Sequence, residues 1–302
     1  MYELKRYVGE HPTMYKFLEI LGARKIYQVV RETEIYLRLS GVKRVDVAGV
    51  EMLFTLQDAQ SRIFFNHPFF LGELYEREVT HHLVNRLKES KCFVDVGANM
   101  GFYSVLAGKI LSSQGGVVHA IEMDAENVNR IQANLRLNGL RNVTIHEIAL
   151  GDHHGTVEYY RCGSFRNTLE VSSNDQERYE KVSVPMTTLD SLLAELEIKP
   201  DVIKIDVEGA EYLVLGGMDS TMMSQAEIYC EVHIDETEGG LASFGHSIDD
   251  VWNLFREHDY ELWEIPLRKD SKQNEVRKLN VVSDIYESTM LYASKSQLVG
   301  SL

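Results

Sequence analysis

The spacing of apolar residues changes abruptly within Lys91 to Gly108, KCFVDVGANMGFYSVLAG. Cys92, Phe93, Val94 and Val96 form a short apolar run, the pattern of a strand buried on both faces. Beyond the turn Asp95-Val96-Gly97-Ala98-Asn99-Met100-Gly101, the apolar positions Phe102, Val105, Leu106 and Ile110 recur at helical spacing, with Asn99 as the expected N-cap. Strand, glycine turn and helix in that order make the first half of a βαβ unit. The alternation continues with a strand over Val117 to Ile121, a helix through Val128, Ile131, Leu135 and Leu137, and a strand over Val143 to Ile148. A helix through Leu189, Leu192, Leu193 and Leu196 then precedes buried strands at Val202 to Ile205 and Ile228 to Val232. A helix through Ile248, Val251, Trp252 and Phe255 and strands at Leu262 to Ile265 and Thr289 to Ala293 close the chain. The pattern predicts an α/β fold whose ligand lies at the carboxyl ends of parallel strands.

Other segments follow different periods. Apolar positions between Tyr15 and Leu37 give the first forty residues a broad helical face, an arm that either caps the core or pairs with a second copy. From Val42 to Asn66 the period falls to two, through Val45, Val47, Met52, Phe54, Ile63 and Phe65, which predicts a small antiparallel meander. Glu73 to Lys88 returns to helical spacing. Thr156 to Tyr160 and Val182 to Val184 read as short antiparallel strands around a polar loop, Ser172 to Glu180. Arg268 to Lys278 is a charged connection. Residues 1–72 are thus expected to form a helical arm and β-meander cap, and residues 73–302 the main domain.

Composition narrows the function classes. The 302 residues are 44% hydrophobic, enough for a sizeable core. A formal net charge of -15 argues against a nucleic-acid-binding surface. Cys92, Cys162 and Cys230 are odd in number and far apart, so neither a disulfide framework nor a zinc site is indicated, and a cytoplasmic location is expected. No apolar run approaches the roughly 20 residues that span a bilayer, and the N-terminus lacks a signal-peptide core.

The chemistry of the turn selects among adenosine cofactors. A dinucleotide site reads G-x-G-x-x-G and lays a pyrophosphate on the helix N-terminus. Here the glycines are Gly97 and Gly101, and Asp95 stands in the turn with no basic residue beside it. A carboxylate there repels phosphate and suits a cofactor with a positive centre, such as the sulfonium of S-adenosylmethionine. Glu122, at the end of the next strand, is placed to accept both ribose hydroxyls, as an acid does in NAD sites too. Ala149, at the exit of the third strand, is expected beside the adenine. Downstream, Asp206-Val207-Glu208-Gly209 follows the fourth strand, and Glu231 and His233 follow the fifth. If these strands neighbour the first, four ionisable groups converge on the switch point.

The segments VDVGANMGFYSVLA, AIEMD, IALGD, TTLDSL, DVIKIDVEGAEYLVLGG and YCEVH, in this order, resemble the FkbM family of S-adenosylmethionine-dependent methyltransferases over roughly Tyr75 to Ser294. The resemblance implies a Rossmann-like class I methyltransferase with a seven-stranded, mostly parallel sheet and a reversed last strand. It also implies O-methylation of a hydroxyl on a sugar or polyketide-like small molecule. Asp95, Gly97, Asn99 and Gly101, with Ala98 between them, match the family's cofactor turn, Glu122 its ribose acid, and Asp206 with Glu208 its fourth-strand motif. Met123 stands where many members have proline after the acid.

Transfer to an alcohol needs a proton acceptor within reach of the hydroxyl. His233 is the first candidate because an ordinary imidazole titrates near neutrality, and Asp206 is the second. A third arrangement has Asp206, Glu208 and Glu231 holding magnesium, although the resemblance brings no required metal. Two other classes fit parts of the pattern, a nicotinamide-dependent oxidoreductase and a non-catalytic adenosine-binding module assembled through the arm. Partners other than a hydroxylated small molecule are not indicated: no nucleic acid and no membrane, with a homo-oligomer left open by the arm.

Overall fold

The computed structural model describes residues 41–66, 75–161, 180–234, 240–267, 276–285 and 287–295. The expected N-terminal arm, Cys162 and the loop 172–179 lie outside the described residues. Each predicted βα unit is present. Strand β3 (Cys92–Val96) leads to a helix at Phe102–Ser112, β4 (Val117–Ile121) to one at Ala125–Asn138, and β5 (Val143–His146) follows. Strands β9 (Val202–Ile205) and β10 (Glu227–Val232), with β11 (Glu261–Ile265), β12 (Arg277–Leu279) and β13 (Thr289–Ser294), complete one sheet in the order β12-β11-β13-β10-β9-β3-β4-β5.

Strands β5, β4, β3, β9 and β10 run parallel, while β13 is antiparallel to both β10 and β11. The reversed last strand of the Rossmann-like order is therefore present. The sheet has eight strands rather than seven, because β12 joins its edge from within the charged run expected as a plain connection. Cross-strand pairing makes this segment a strand: Arg277 and Lys278 donate to Glu264 and Glu261 of β11 at 2.6 and 2.7 Å. Strand β3 lies between β4 and β9, and β10 lies one strand further out, so only one of the two later strands adjoins the first.

Strand alternation divides the core into two layers. Phe93, Val118, Ala120, Val202 and Tyr229 pack on one face, against α2 (Arg77–Leu87), α3 (Phe102–Ser112) and α4 (Ala125–Asn138). Val94, Val96, Ile121, Ile203, Ile205 and Ile228 pack on the other, against α5 (Leu189–Leu196), α6 (Glu211–Gly216), α7 (Asp219–Met222) and α8 (Ile248–Glu257). Asp124, Thr188 and Ser247 cap the starts of α4, α5 and α8 with their side chains.

The meander is only partly present. Strands β1 (Val42–Val47) and β2 (Val50–Thr55) form a hairpin, but Ala59–Asn66 is a helix, α1, where a third strand was expected. Asp58 accepts hydrogen bonds from the Ser61 backbone N–H at 3.0 Å and from its hydroxyl at 2.6 Å, which starts a helical turn at this point. Val47, Met52, Phe54 and Phe65 share one core layer with Phe93 and Phe102, so the hairpin and α1 pack on the main sheet. Strands β6 (Ala149–Leu150), β7 (Gly155–Arg161) and β8 (Glu180–Thr187) form a second, three-stranded sheet in which β7 and β8 are antiparallel as expected.

Candidate active site

A cavity of about 340 Å³ opens at the carboxyl ends of β3, β4, β9 and β10. One end is apolar, lined by Ile121, Met123, Ile148, Ala149, Leu150, Val157 and Met186, the last two from β7 and β8. The other end is acidic, lined by Glu76, Asp206, Glu208, Glu231 and His233 together with Tyr75. Gly97, Asn99 and Glu122 lie between them on the wall.

The turn after β3 is built by backbone geometry. Gly97 (φ +77) and Gly101 (φ +78) are left-handed, and a Cβ on Gly97 would lie 1.9 Å from the Asp206 carbonyl oxygen. The close approach that requires glycine is thus between two backbones, not between backbone and ligand. Asn99 (φ 51) sits inside the turn, and Gly101 rather than Asn99 occupies the cap position of α3. Glu76, Asn99 and Glu208, all on the cavity wall, are three of the six non-glycine residues with positive φ among the described residues.

Glu122 is fixed by this turn. Its carboxylate accepts the backbone N–H of Asn99 at 2.7 Å through Oε2 and that of Asp124 at 2.8 Å through Oε1. Burial pushes Glu122 up to about 7, against the pull of these two N–H groups.

Of the residues expected to hold a cofactor, Gly97, Asn99, Glu122, Met123, Ala149, Asp206 and Glu208 line the cavity. Asp95, Ala98 and Gly101 do not. They shape the turn instead: the Ala98 N–H bonds the Ile121 carbonyl at 3.0 Å, and buried Asp95 accepts the Ser104 hydroxyl at 2.6 Å. Alternation puts Asp95 on the same sheet face as Phe93 and, across the β3–β9 register, beside Lys204.

The basic residue missing from the turn comes from β9. Lys204 pairs in register with Asp95, is 2% exposed, and places Nζ 2.9 Å from Asp206 Oδ2 and 4.8 Å from the Tyr103 ring centre. A lysine inside the apolar strand Val202-Ile203-Lys204-Ile205 was the sequence signal for it. Glu76 and Glu211 were also missed. Glu76 precedes α2 and accepts the Tyr103 hydroxyl at 2.6 Å. Glu211, fully buried on α6, accepts His233 Nδ1 at 2.8 Å and the Gly209 N–H at 2.9 Å.

His233 is therefore surrounded by acids. Its Nε2 lies 3.5 Å from both Glu208 and Glu231. Burial pulls its pKa down, but the bond to Glu211 and the neighbouring carboxylates outweigh burial and push it up to about 10. These carboxylates favour the protonated ring over the neutral imidazole that a histidine base needs. Burial raises Asp206 too, but Lys204 and then His233 override it and hold the carboxyl below the usual range. Burial and the Asp206 charge push Glu231 well above that range. Burial likewise raises Glu76, against the pull of Lys204.

Two sets of ligand atoms, from Asp206, Glu208 and His233 and from Glu76, Asp206 and Glu231, lie within 4.8 Å of one another. Lys204 and His233 already supply positive charge to both, so neither set is assigned to a metal.

The family profile described as the methyltransferase FkbM domain matches residues 95–262, more than half of the chain. This chain belongs to the FkbM methyltransferase family. The match spans the glycine turn, Glu122, Asp206, Glu208, Glu231 and His233, and Glu76 precedes it.

Among solved structures, an FkbM methyltransferase from Methylobacillus flagellatus KT is 18% identical over 78% of this chain and 61% of that one, with a TM-score of 0.41. The O-methyltransferase TomG from Streptomyces achromogenes, in complex with SAM, is 12% identical over 71% and 78%, with a TM-score of 0.40. A precorrin-6y C5,15-methyltransferase from Geobacter metallireducens GS-15 is 14% identical over 73% and 88%, with a TM-score of 0.39. At such identities the family assignment rests on the 95–262 match. No curated protein matches the chain. No helix among the described residues of this methyltransferase is long and apolar enough to cross a membrane.

Proposed function

We propose that this FkbM methyltransferase transfers a methyl group from S-adenosylmethionine to a hydroxyl oxygen of a sugar or polyketide-like small molecule. The observation that carries the reading is the polarity of this cavity: across the strand ends from β5 to β10 come apolar residues, then an acid held by two backbone N–H groups, then a group of carboxylates. Adenine fits the slot between Met123, Ala149, Val157 and Met186, and the ribose hydroxyls are donors for Glu122. The ammonium of the methionine end meets Glu208. A nicotinamide dinucleotide would bring its diphosphate to this acidic wall.

The bound cofactor supplies an electrophilic methyl on a sulfonium that leaves as a neutral thioether. The chain's own task is to place an acceptor oxygen in line with that methyl and to take its proton. Asp206, ionised and on the cavity wall, is the proton acceptor. His233, already protonated, orients Glu208 and Glu231 from between them. The β7–β8 sheet walls the adenine slot.

Calorimetric titration with S-adenosylhomocysteine and with NAD tests the cofactor. Binding of the first alone is expected, and binding of NAD alone overturns the reading. Incubation with methyl-labelled S-adenosylmethionine and a panel of sugars and hydroxylated polyketides should then yield a methyl ether by mass spectrometry. Label on nitrogen or carbon overturns the O-methyl assignment. Cofactor binding without turnover across the panel returns the chain to the non-catalytic class.

A further inference from the structure

Lys204 is charged, buried and central, and methyl transfer as described above makes no direct use of it. It sits in a four-residue strand that is otherwise apolar and buried, where an unpaired ammonium is costly. Alternation along β9 puts Val202, Lys204 and Asp206 on one face, and along β10 it puts Tyr229 and Glu231 on the corresponding face. One carboxylate oxygen from each of Glu76, Asp206 and Glu231 lies within 4.8 Å of the others. Carboxyls this close on one cavity wall disfavour one another's ionised forms, and the contacts each one makes decide which holds its charge most readily.

The contacts are unequal. Asp206 has the Lys204 ammonium at 2.9 Å. Glu76 has a neutral donor, the Tyr103 hydroxyl at 2.6 Å. Glu231 has His233 Nε2 at 3.5 Å, a proton donor that it shares with Glu208 at the same distance. The face of Tyr103 also meets the Lys204 ammonium, 4.8 Å from Nζ. Tyr75 from the segment before α2, Asp95 from β3, Glu211 from α6 and Cys230 from β10 are further titratable groups around this set.

We propose that Lys204 is a positioning residue that makes Asp206, rather than Glu76 or Glu231, the ionised carboxylate of the site. The use of Asp206 as proton acceptor rests on the methyl-transfer reading. Which carboxyl carries a proton is a property of the chain by itself. A lysine suits the task because its compact charge can favour one carboxylate, whereas a guanidinium would fork across two. The opposite directions in which Asp206 and Glu231 shift agree with this assignment.

The test is carbon-13 NMR of the protein labelled at the aspartate and glutamate side-chain carboxyls, with the Asp206 and Glu231 resonances assigned by their loss in Asp206→Asn and Glu231→Gln. In the unsubstituted protein at neutral pH, Asp206 is expected at the carboxylate position and Glu231 at the protonated position. In Lys204→Met the Asp206 midpoint should rise by at least about one pH unit, a tenfold gain in proton affinity. An unmoved midpoint overturns the proposal. If Lys204→Met does not fold, the unsubstituted protein still decides, because a protonated Asp206 or an ionised Glu231 at neutral pH overturns it equally. Cofactor binding is read separately by calorimetry, so failure of the methyl-transfer reading leaves this result interpretable.

Discussion

The backbone N–H of Asn99 donates to Glu122 Oε2 at 2.7 Å, so the glycine turn after β3 and the acid that ends β4 are one rigid unit. Burial raises this acid to about 7. A carboxylate accepts hydrogen bonds from ribose hydroxyls and a protonated carboxyl does so poorly, so ligand affinity is expected to fall as pH drops below about 7. Calorimetry with S-adenosylhomocysteine at about pH 6 and about pH 8 should show the dissociation constant rising toward tenfold per unit on the acid side. Glu122→Gln should flatten the profile and weaken binding by about 1.5–3 kcal/mol, roughly ten- to hundredfold. Without ligand the sign for folding is opposite to that of a salt-bridged acid. The folded-state pKa lies above the ordinary 4.5, so Glu122's contribution is fully present below 4.5 and is lost as pH rises through about 7.

Gly97→Ala should damage the fold before it touches any ligand. Its Cβ would lie 1.9 Å from the Asp206 carbonyl oxygen at a φ of +77, and the backbones of two adjacent parallel strands have no room to separate. A loss of at least about 3 kcal/mol is expected in urea unfolding. Gly139→Ala is the control: it ends α4 at a φ of +68 with open space around it, and should cost only about 1 kcal/mol. If the two variants unfold at the same urea concentration, the backbone approach is not what Gly97 serves.

How far the sequence carried depended on how each segment's period was constrained. The βα units were legible because short uninterrupted apolar runs alternate with longer segments whose apolar residues repeat at 3.6. Ile63 and Phe65 do not meet that condition: two apolar residues two apart fit a strand or one turn of helix, and Asp58 decides for the helix through Ser61. β12 was hidden because its side chains are charged, and only the facing Glu261 and Glu264 make them strand-like. Within the site, residues flanking the strand ends were readable by position. Lys204 was visible as a misfit in its strand, while Val157, Met186 and Glu76 reach the cavity from segments whose place against the main sheet follows only from the tertiary fold.

His233 should titrate far above an ordinary imidazole. Burial lowers it, but Glu211 at 2.8 Å and the acids beyond push it up to about 10. Buried His119 and half-buried His146, 3.0 Å apart, are shifted down by desolvation and provide an internal contrast. Imidazole nitrogen NMR should find His233 protonated through the neutral range while the other two are neutral. Glu211→Gln should lower the His233 midpoint by more than about one unit. Because its folded-state pKa is raised, His233 contributes stability that is full below about 6.5 and lost as pH rises through about 10. A His233 midpoint between about 6 and 7 would return it to the role of proton acceptor.

Asn134 joins the β1–β2 hairpin to the cofactor turn. Its Oδ1 accepts the Thr55 N–H of β2 at 2.9 Å, and its Nδ2 donates to the Met100 carbonyl at 2.9 Å, two residues from Ala98. Asn138, one helical turn on, accepts the Leu53 N–H and donates back to the Leu53 carbonyl, so two amides of α4 stand in for the strand that β2 lacks on this side. Asn134 is 1% exposed, and Asn134→Ala leaves a buried N–H and a buried C=O without partners. The expected cost is about 2–4 kcal/mol in urea unfolding, with hydrogen exchange at Thr55 accelerated ahead of exchange in β3. Asn138→Ala should cost less, since its bonds to Leu53 lie nearer to solvent. If Thr55 keeps its protection in Asn134→Ala, the hairpin is held by its apolar face alone, through Met52 and Phe54 against Phe65 and Phe102, and its link to the turn carries no energy.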